Sequence, residues 1–224
     1  MLKFIVTLAA AKTVYENYSF DYSAHKMPLA YTTYGNAVEL NHKVKLNSVV
    51  AGRGGAYVLD RAITLPDFEI MTEFQINTPV DQARGFQLIL DTNPFREEWA
   101  LQSHFGYRSD FNGIGIYVFR SRQSGLWHVM TLQGNGAQSA INDGKQLSSS
   151  MTEDNACVLD IETGKQAGLR IQVDHAHVTT WVGDSEDAGF RECTKVPLQK
   201  KMWSHFYMIL AAKNFQNERK QQIL

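Results

Sequence analysis

The sequence predicts an all-β chain folded as two packed antiparallel sheets, a β-sandwich. Three observations predict it. The segment Phe68–Ile76 alternates, with Phe68, Ile70, Phe74 and Ile76 on one side and Glu69, Met71, Glu73 and Gln75 on the other, the pattern of a strand with one buried and one wet face. The segment Phe111–Arg120 is apolar on both sides, Ile114, Ile116 and Val118 against Tyr117 and Phe119, which places a strand between two layers. No segment sustains a helical period, and there is no heptad, no low-complexity tract and no repeat of about 20–50 residues. Many strands, long loops and almost no helix leave the sandwich as the way to bury the apolar faces.

Taken in order, Tyr15, Tyr18, Phe20 and Tyr22 form an aromatic stretch that predicts an early strand. Residues 28–35 read as a loop. Short alternations follow at Ala37–Leu40 and Val44–Leu46 and, after the Arg53-Gly54-Gly55 turn, at Ala56–Leu59. Pro66-Asp67 breaks the chain before the Phe68–Ile76 strand, and Gly85–Leu90 is the next strand. Residues 91–110 carry no period, hold Pro94 and Gly106, and form a long loop, a feature that in compact domains is often functional. Gly113 and Gly115 predict either a bulge or a close backbone approach. Leu126–Leu132 is a strand, and residues 133–155 are a polar loop or irregular hairpin. Ala167–Val173 and His177–Val182 form a hairpin through Asp174-His175-Ala176, and Phe206–Ala212 is the last clear strand before a polar end at 214–224.

The 224 residues fit one domain, and the net charge of -1 excludes an electrostatic nucleic-acid binder, which needs a basic stripe. Met1-Leu2-Lys3 followed by Phe4–Ala11 has the basic start, short apolar run and Ala-rich end of a compact signal peptide; a retained first β-strand is the competing reading. We therefore divide the chain into a signal peptide at 1–11 and one domain at 12–224. Asn17-Tyr18-Ser19 is a glycosylation triplet usable only in a secretory protein. No later window reaches the roughly 18 apolar residues of a membrane span, so if the protein is membrane-tethered its anchor is expected outside this chain.

The two cysteines, Cys157 and Cys193, flank the 167–182 hairpin. In an oxidising lumen they close it as a disulfide; otherwise they are two unrelated buried thiols. His175 and His177 share a strand face but have no further ligand nearby, so a solvated turn is expected rather than a metal site. Glu69/Glu73 and Glu97/Glu98 are the acidic pairs to test as a glycosidase acid and base. Glu97 and Glu98 point apart in an extended segment, and Glu69 and Glu73 have no third acidic residue beside them, so solvated carboxylates are expected. The chain has no G-x-S-x-G, no phosphate loop and no Ser-His-Asp pattern.

A family resemblance joins these features. Tyr18-Ser19-Phe20, Tyr34-Gly35-Asn36-Ala37, Gly54-Gly55-Ala56-Tyr57-Val58, Phe68-Glu69-Ile70 through Phe74, Gly85-Phe86, Phe111-Asn112-Gly113-Ile114-Gly115-Ile116, Cys157, Cys193 and Ser204-His205-Phe206 occur in that order. The order and the cysteine pair resemble the L-type (leguminous-type) lectin domain of early secretory cargo receptors, the group of the intermediate-compartment mannose lectin, its vesicular relatives and their fungal counterparts. The resemblance runs from about Tyr15 to about Phe215. It implies a concanavalin-like antiparallel β-sandwich (jelly roll) with one disulfide at Cys157 and Cys193.

The sugar site is where this chain departs from the family pattern. An Asp precedes the glycine matching Gly85 in sugar-binding members; here it is Arg84. The strand matching 113–119 ends there in a calcium-binding Asp; here it ends in Phe119. The Asp-Asn that follows matches Arg122-Gln123, and a sugar-contacting Gly-Gly pair matches Lys213-Asn214. The family's loop His has no counterpart, and Asp143 stands near a metal-ligand position. Calcium takes about six to eight oxygen ligands, so Phe119 with Arg84 and Arg122 disfavours it. The resemblance therefore implies a lumenal, non-enzymatic domain that recognises glycan or glycoprotein cargo in ER–Golgi transport, without a metal or other cofactor and not by calcium-dependent mannose binding. Its compartment is the ER, the intermediate compartment or the Golgi, and a homo-oligomer is compatible with it. The alternatives are a protein-interaction module that has lost the sugar and, behind it, a β-sandwich glycoside hydrolase.

Overall fold

Strands form where β-branched and aromatic residues alternate, and their apolar faces sort them into two sheets. The computed structural model describes residues 4–8, 13–14, 31–40, 43–46, 52–77, 85–99, 105–121, 123–136, 144–162, 164–184, 189–198 and 204–213. Its elements are β1 (Phe4–Leu8), β2 (Thr13–Val14), β3 (Tyr31–Gly35), β4 (Val38–Leu40), β5 (Lys43–Lys45), β6 (Gly54–Leu59), β7 (Phe68–Gln75), β8 (Gly85–Asp91), β9 (Asn112–Arg120), β10 (Trp127–Asn135), helix α1 (Gly144–Ser149), β11 (Ala156–Leu159), β12 (Gln166–Val173), β13 (His177–Asp184), β14 (Arg191–Pro197) and β15 (Tyr207–Lys213), with a 3-10 turn at Glu97–Trp99. One sheet has the order β14-β13-β12-β7-β1-β2, the other β11-β10-β9-β8-β15-β6-β3, and β4-β5 is a separate hairpin. The pairings are antiparallel. Among the described residues no helix is long and apolar enough to cross a membrane.

Period-2 alternation fills two apolar layers. Between the sheets, Phe68, Ile70 and Phe74 of β7 and Leu169, Ile171 and Val173 of β12 meet Leu88, Leu90, Ile114, Ile116 and Val118 of the seven-stranded sheet. The outer face of that sheet carries a second layer. There Ile89, Tyr117, Phe119, Met130, Ile209 and Ala211 lie under Phe105 and Tyr107 from the long loop, Phe111 just before β9 and Leu147 from α1. This is why β9 is apolar on both faces: its even positions enter the sandwich core and Tyr117 and Phe119 enter the outer layer. Burying each such side chain is worth roughly 1.5–3 kcal/mol, so a polar residue at Ile116 would disrupt the core most directly. The glycines at the two ends of the β8–β9 ladder answer the bulge-or-approach question. A Cβ on Gly113 (φ 151°) would stand 1.9 Å from the Leu90 carbonyl, and one on Gly85 (φ 126°) 1.8 Å from the Val118 carbonyl. Both are close backbone approaches in a region of φ that favours glycine.

The disulfide forms between Cys157 and Cys193, with Cα atoms 5.3 Å apart. The sequence placed it as a clasp on the 167–182 hairpin; the bond also joins β11 of one sheet to β14 of the other. Beside it a buried hydroxyl chain crosses the same gap, Thr131 Oγ1 to Thr194 Oγ1 at 2.8 Å and Thr194 to Thr180 Oγ1 at 2.7 Å. The Arg191 guanidinium donates to the Val158 carbonyl across the same edge.

Several elements differ from the sequence expectation. Residues 31–35, read within a loop, form β3 by backbone pairing with β6, and Tyr31 stacks on Tyr57 with centroids 4.8 Å apart. Helix α1 sits within the stretch read as a loop or irregular hairpin, because six residues are too few to display a period. Strands β11 and β14 were not predicted: β14 is a polar edge strand in which only Thr194 is buried. Glu69, expected to be solvated, is buried and accepts from Arg170 Nε at 2.8 Å and Arg170 Nη2 at 2.6 Å. Arg170 in turn lies over the Trp181 ring, 4.8 Å from its centroid. Glu73 accepts from Gln166 Nε2 at 3.1 Å. Residues 4–8, for which the sequence leaves open a leader or a retained first strand, pair with β7 in the uncleaved chain, Phe4 opposite Thr72 and Thr7 opposite Glu69. The early strand expected at 15–22 and the polar end at 214–224 lie outside the described residues.

Candidate functional site

Strand register brings one set of chain ends together on the outer face of the seven-stranded sheet. Gly85 opens β8 and pairs with Phe119, near the end of β9. Phe119 pairs on its other side with His128 of β10. Ala212 pairs with Phe86, so Lys213 ends β15 at the same end of the sheet, opposite Gly54. Adjacent strands are about 4.8 Å apart, so the β9 and β15 backbones there are separated by roughly 10 Å.

Of the residues singled out from sequence, Phe119, Gln123 and Lys213 are described and occupy this end, while Arg84, Arg122, Asp143 and Asn214 lie outside the described residues. Phe119 does not line an open cleft. It is fully buried in the outer layer, with its ring 5.8 Å from the His128 imidazole in a stacked arrangement. Lys213 is half-buried, and Gln123 is exposed on the turn after β9.

That turn contains the residue that sequence reading passed over, Ser121. Its side chain is buried, and Oγ accepts from the backbone N–H of Gln123 at 3.2 Å and of Ser124 at 3.3 Å. The Ser148 hydroxyl on α1 donates to the same oxygen at 3.4 Å. The Ser121 main chain closes the loop, with its N–H donating to Leu126 O and its carbonyl accepting from Gly125 N, each at 2.9 Å. Arg120 Nε donates to Gly125 O at 2.7 Å. Ser124 Oγ accepts from Leu126 N at 3.3 Å and bonds His128 Nε2 at 3.2 Å. The signal for this was present: a serine whose hydroxyl reaches amides two and three residues on is ordinary turn chemistry, and Ser121 and Ser124 precede Gly125. Burial holds the His128 imidazole below its usual pKa. The described side chains around this turn offer hydroxyl, amide, imidazole and, from Arg120, guanidinium groups. Among the described residues no three of His, Cys, Asp and Glu gather as a metal site, His175 and His177 included.

The far end of the same face is closed by a different device. Asp91, the last residue of β8, is fully buried and is the hub of the long loop. Its Oδ2 accepts from the Tyr107 hydroxyl at 2.9 Å and from Arg108 Nη2 at 2.8 Å, and its Oδ1 from Asn93 N at 3.0 Å and Asn93 Nδ2 at 3.1 Å. The Arg108 guanidinium lies 3.6 Å from the Trp99 ring centroid. Burial, then the Asp91 charge, pushes the Tyr107 phenol well above its usual range, so it stays a donor. The loop that the sequence marked as functional is thus tied to the sheet and roofs the second apolar layer.

No protein-family model matches the chain, and no curated protein matches it. Solved structures do. The lumenal domain of VIP36, in a form bound to Ca²⁺ and mannose, is 16% identical with a TM-score of 0.69 over 85% of this chain and 78% of that one. The metal-free carbohydrate recognition domain of Emp46p is 15% identical with a TM-score of 0.64 over 83% and 81% of the two chains. A legume lectin-like domain from Entamoeba histolytica is 16% identical with a TM-score of 0.65 over 84% and 83%. The chain has the legume-lectin-type β-sandwich fold, as the resemblance implied.

Proposed function

We propose that this chain is a lumenal, lectin-like, non-catalytic domain that recognises glycan or glycoprotein cargo in ER–Golgi transport, and that it does so without calcium. The observation that carries the reading is the Gly85–Phe119–His128 register. The strand end that delivers a carboxylate to calcium in the resembling family here delivers a buried phenyl ring. Phenyl gives no oxygen ligand to an ion that takes about six to eight, and Ser121 supplies the turn with its own brace. Recognition of a carbohydrate is supported by the fold, which the mannose-bound VIP36 domain shares. Lys213 at this end, together with Arg84 and Arg122 in sequence, favours a ligand that carries negative charge.

Lumenal placement is supported by the Cys157–Cys193 disulfide, a bond that persists in oxidising compartments, and by the leader-like composition of residues 1–11. N-terminal sequencing of protein secreted from eukaryotic cells is expected to begin after residue 11; secreted protein that retains Met1 overturns the leader. The engagement of Glu69 by Arg170 and of Glu73 by Gln166 speaks against the hydrolase alternative.

A glycan array probed with the whole domain, in calcium and again in a chelator, tests the reading. Binding of the same glycans in both conditions is expected. Calcium-dependent binding of high-mannose glycan overturns it. Binding of no glycan shifts the domain to the second reading, a protein-interaction module, which the buried Phe119 also favours.

A further inference from the structure

We infer that the β4–β5 hairpin is a membrane-surface element whose outward face meets an anionic phospholipid bilayer. The register puts Val38 opposite Lys45 and Leu40 opposite Lys43, with Glu39 opposite Val44 between them. Directly opposed residues share a sheet face, so Val38, Leu40, Lys43 and Lys45 make one face and Glu39 and Val44 the other. The Val44 face is anchored, since Val44 is buried in the sandwich core. The ends of the hairpin are clamped on β6: a Cβ on Gly55 would stand 2.2 Å from Ala37 N and 2.3 Å from Leu46 O. The opposite face is left to solvent. Val38 is 50% and Leu40 41% exposed, two of the large apolar side chains that the fold leaves uncovered. Lys43 and Lys45 are exposed beside them, and neither has a carboxylate partner among the described residues.

Charge and composition together select the occupant. Two exposed lysines, with no carboxylate partner among the described residues, call for an anionic partner. Protein interfaces are depleted of lysine and built on Tyr, Trp and Arg anchors, none of which is among the four residues of this face. Lysine beside short aliphatic side chains fits a headgroup layer instead: the ammonium reaches phosphate while its methylene stem and the aliphatic pair cover the acyl boundary.

Vesicle co-sedimentation of the whole chain in chelator tests this, using phosphatidylcholine vesicles with and without phosphatidylserine. The chain is expected to partition onto phosphatidylserine vesicles, to stay off pure phosphatidylcholine, and to lose partition as salt rises. Lys43→Gln with Lys45→Gln lowers the partition coefficient about 25-fold, at about fivefold per positive charge removed, and Lys43→Glu with Lys45→Glu, which changes the charge by twice as much, lowers it further. Val38→Ser with Leu40→Ser weakens the salt-resistant fraction. All four side chains are exposed, so the thermal midpoint stays put; if charge reversal disturbs folding, Lys43→Gln with Lys45→Gln carries the same test. Wild-type chain that ignores phosphatidylserine, or a charge-reversed variant that binds like wild type, overturns the inference. Retention on polyglutamate without vesicle binding also overturns it and reassigns the face to an acidic protein.

Discussion

Ser121→Ala removes the hydroxyl around which the 121–126 turn is built. Oγ receives three hydrogen bonds, from Gln123 N at 3.2 Å, Ser124 N at 3.3 Å and Ser148 Oγ at 3.4 Å. All three are long, so each belongs at the low end of the roughly 0.5–1.5 kcal/mol net value of an intramolecular hydrogen bond. Three such bonds sum to about 1.5 kcal/mol. Gln123 and Ser124 are exposed, so water recovers part of that and the expected loss is about 1 kcal/mol. The two main-chain bonds of Ser121 remain, which confines the damage to the turn. In a domain of this size the midpoint of thermal unfolding should fall by about 2–4 °C. Amide exchange at Gln123 and Ser124, followed by NMR, should accelerate about fivefold while β9 and β10 stay protected. Adding calcium or chelator should move neither protein. A calcium-induced rise of several degrees in the wild type would refute the metal-free brace, and unchanged exchange at both amides would refute the role of the hydroxyl.

Other perturbations report on the frame around the site. Asp91→Ala leaves the Arg108 guanidinium, only 11% exposed, with the more distant Asp110 carboxylate at 3.9 Å as its ion-pair partner, strips the Tyr107 hydroxyl and Asn93 of their acceptor, and should cost about 3–5 kcal/mol in urea unfolding; a loss under about 1 kcal/mol would show that the loop does not depend on Asp91. Replacing Cys157 and Cys193 by Ala opens a loop with a sequence separation of 36 and should cost about 3–4 kcal/mol by chain entropy, read from denaturant midpoints before and after reduction of the wild type. Acidification should destabilise the fold through His128. Its folded pKa lies below the unfolded value because burial disfavours the cation, so its contribution is full above about pH 6.5 and is lost as pH falls through the folded value. The fall in thermal midpoint between pH 7 and pH 5 should therefore be smaller in His128→Phe; an identical pH profile in the two proteins would remove His128 from the account. Asp174 adds the same sign further down. Burial works to raise its carboxyl, but the Ala176 and His177 N–H groups hold it below the usual value, so its contribution is lost only as pH falls through that lowered value.

The core strands were legible because burial writes itself into period-2 patterns. Phe68, Ile70 and Phe74 announced β7, and the two-faced β9 announced a second apolar layer whose cover the sequence did not identify. Strands held by backbone pairing were not legible. The β3 segment, Tyr31-Thr32-Thr33-Tyr34-Gly35, and the polar β14 carry little apolar contrast, and both exist because a neighbour offers a ladder. The wet face of β7 misled for a related reason: a glutamate looks solvated until Arg170, about 100 positions later, is set across from it.

At the candidate site the division falls at a single strand end. That Phe119 is not a metal-binding carboxylate is a statement about covalent identity, and the sequence by itself determined it. It also determined the β-sandwich class, the cysteine pair and the modest net charge, because each follows from which residues are present and how they alternate. Only the tertiary structure decided that the Phe119 ring is sealed against His128, that the Ser121 hydroxyl braces the next turn, that the disulfide joins two sheets, and that Asp91 ties down the long loop. These outcomes depend on register across strands distant in sequence. Register is selected by the summed burial and hydrogen bonding of the whole fold, which no local stretch of residues encodes.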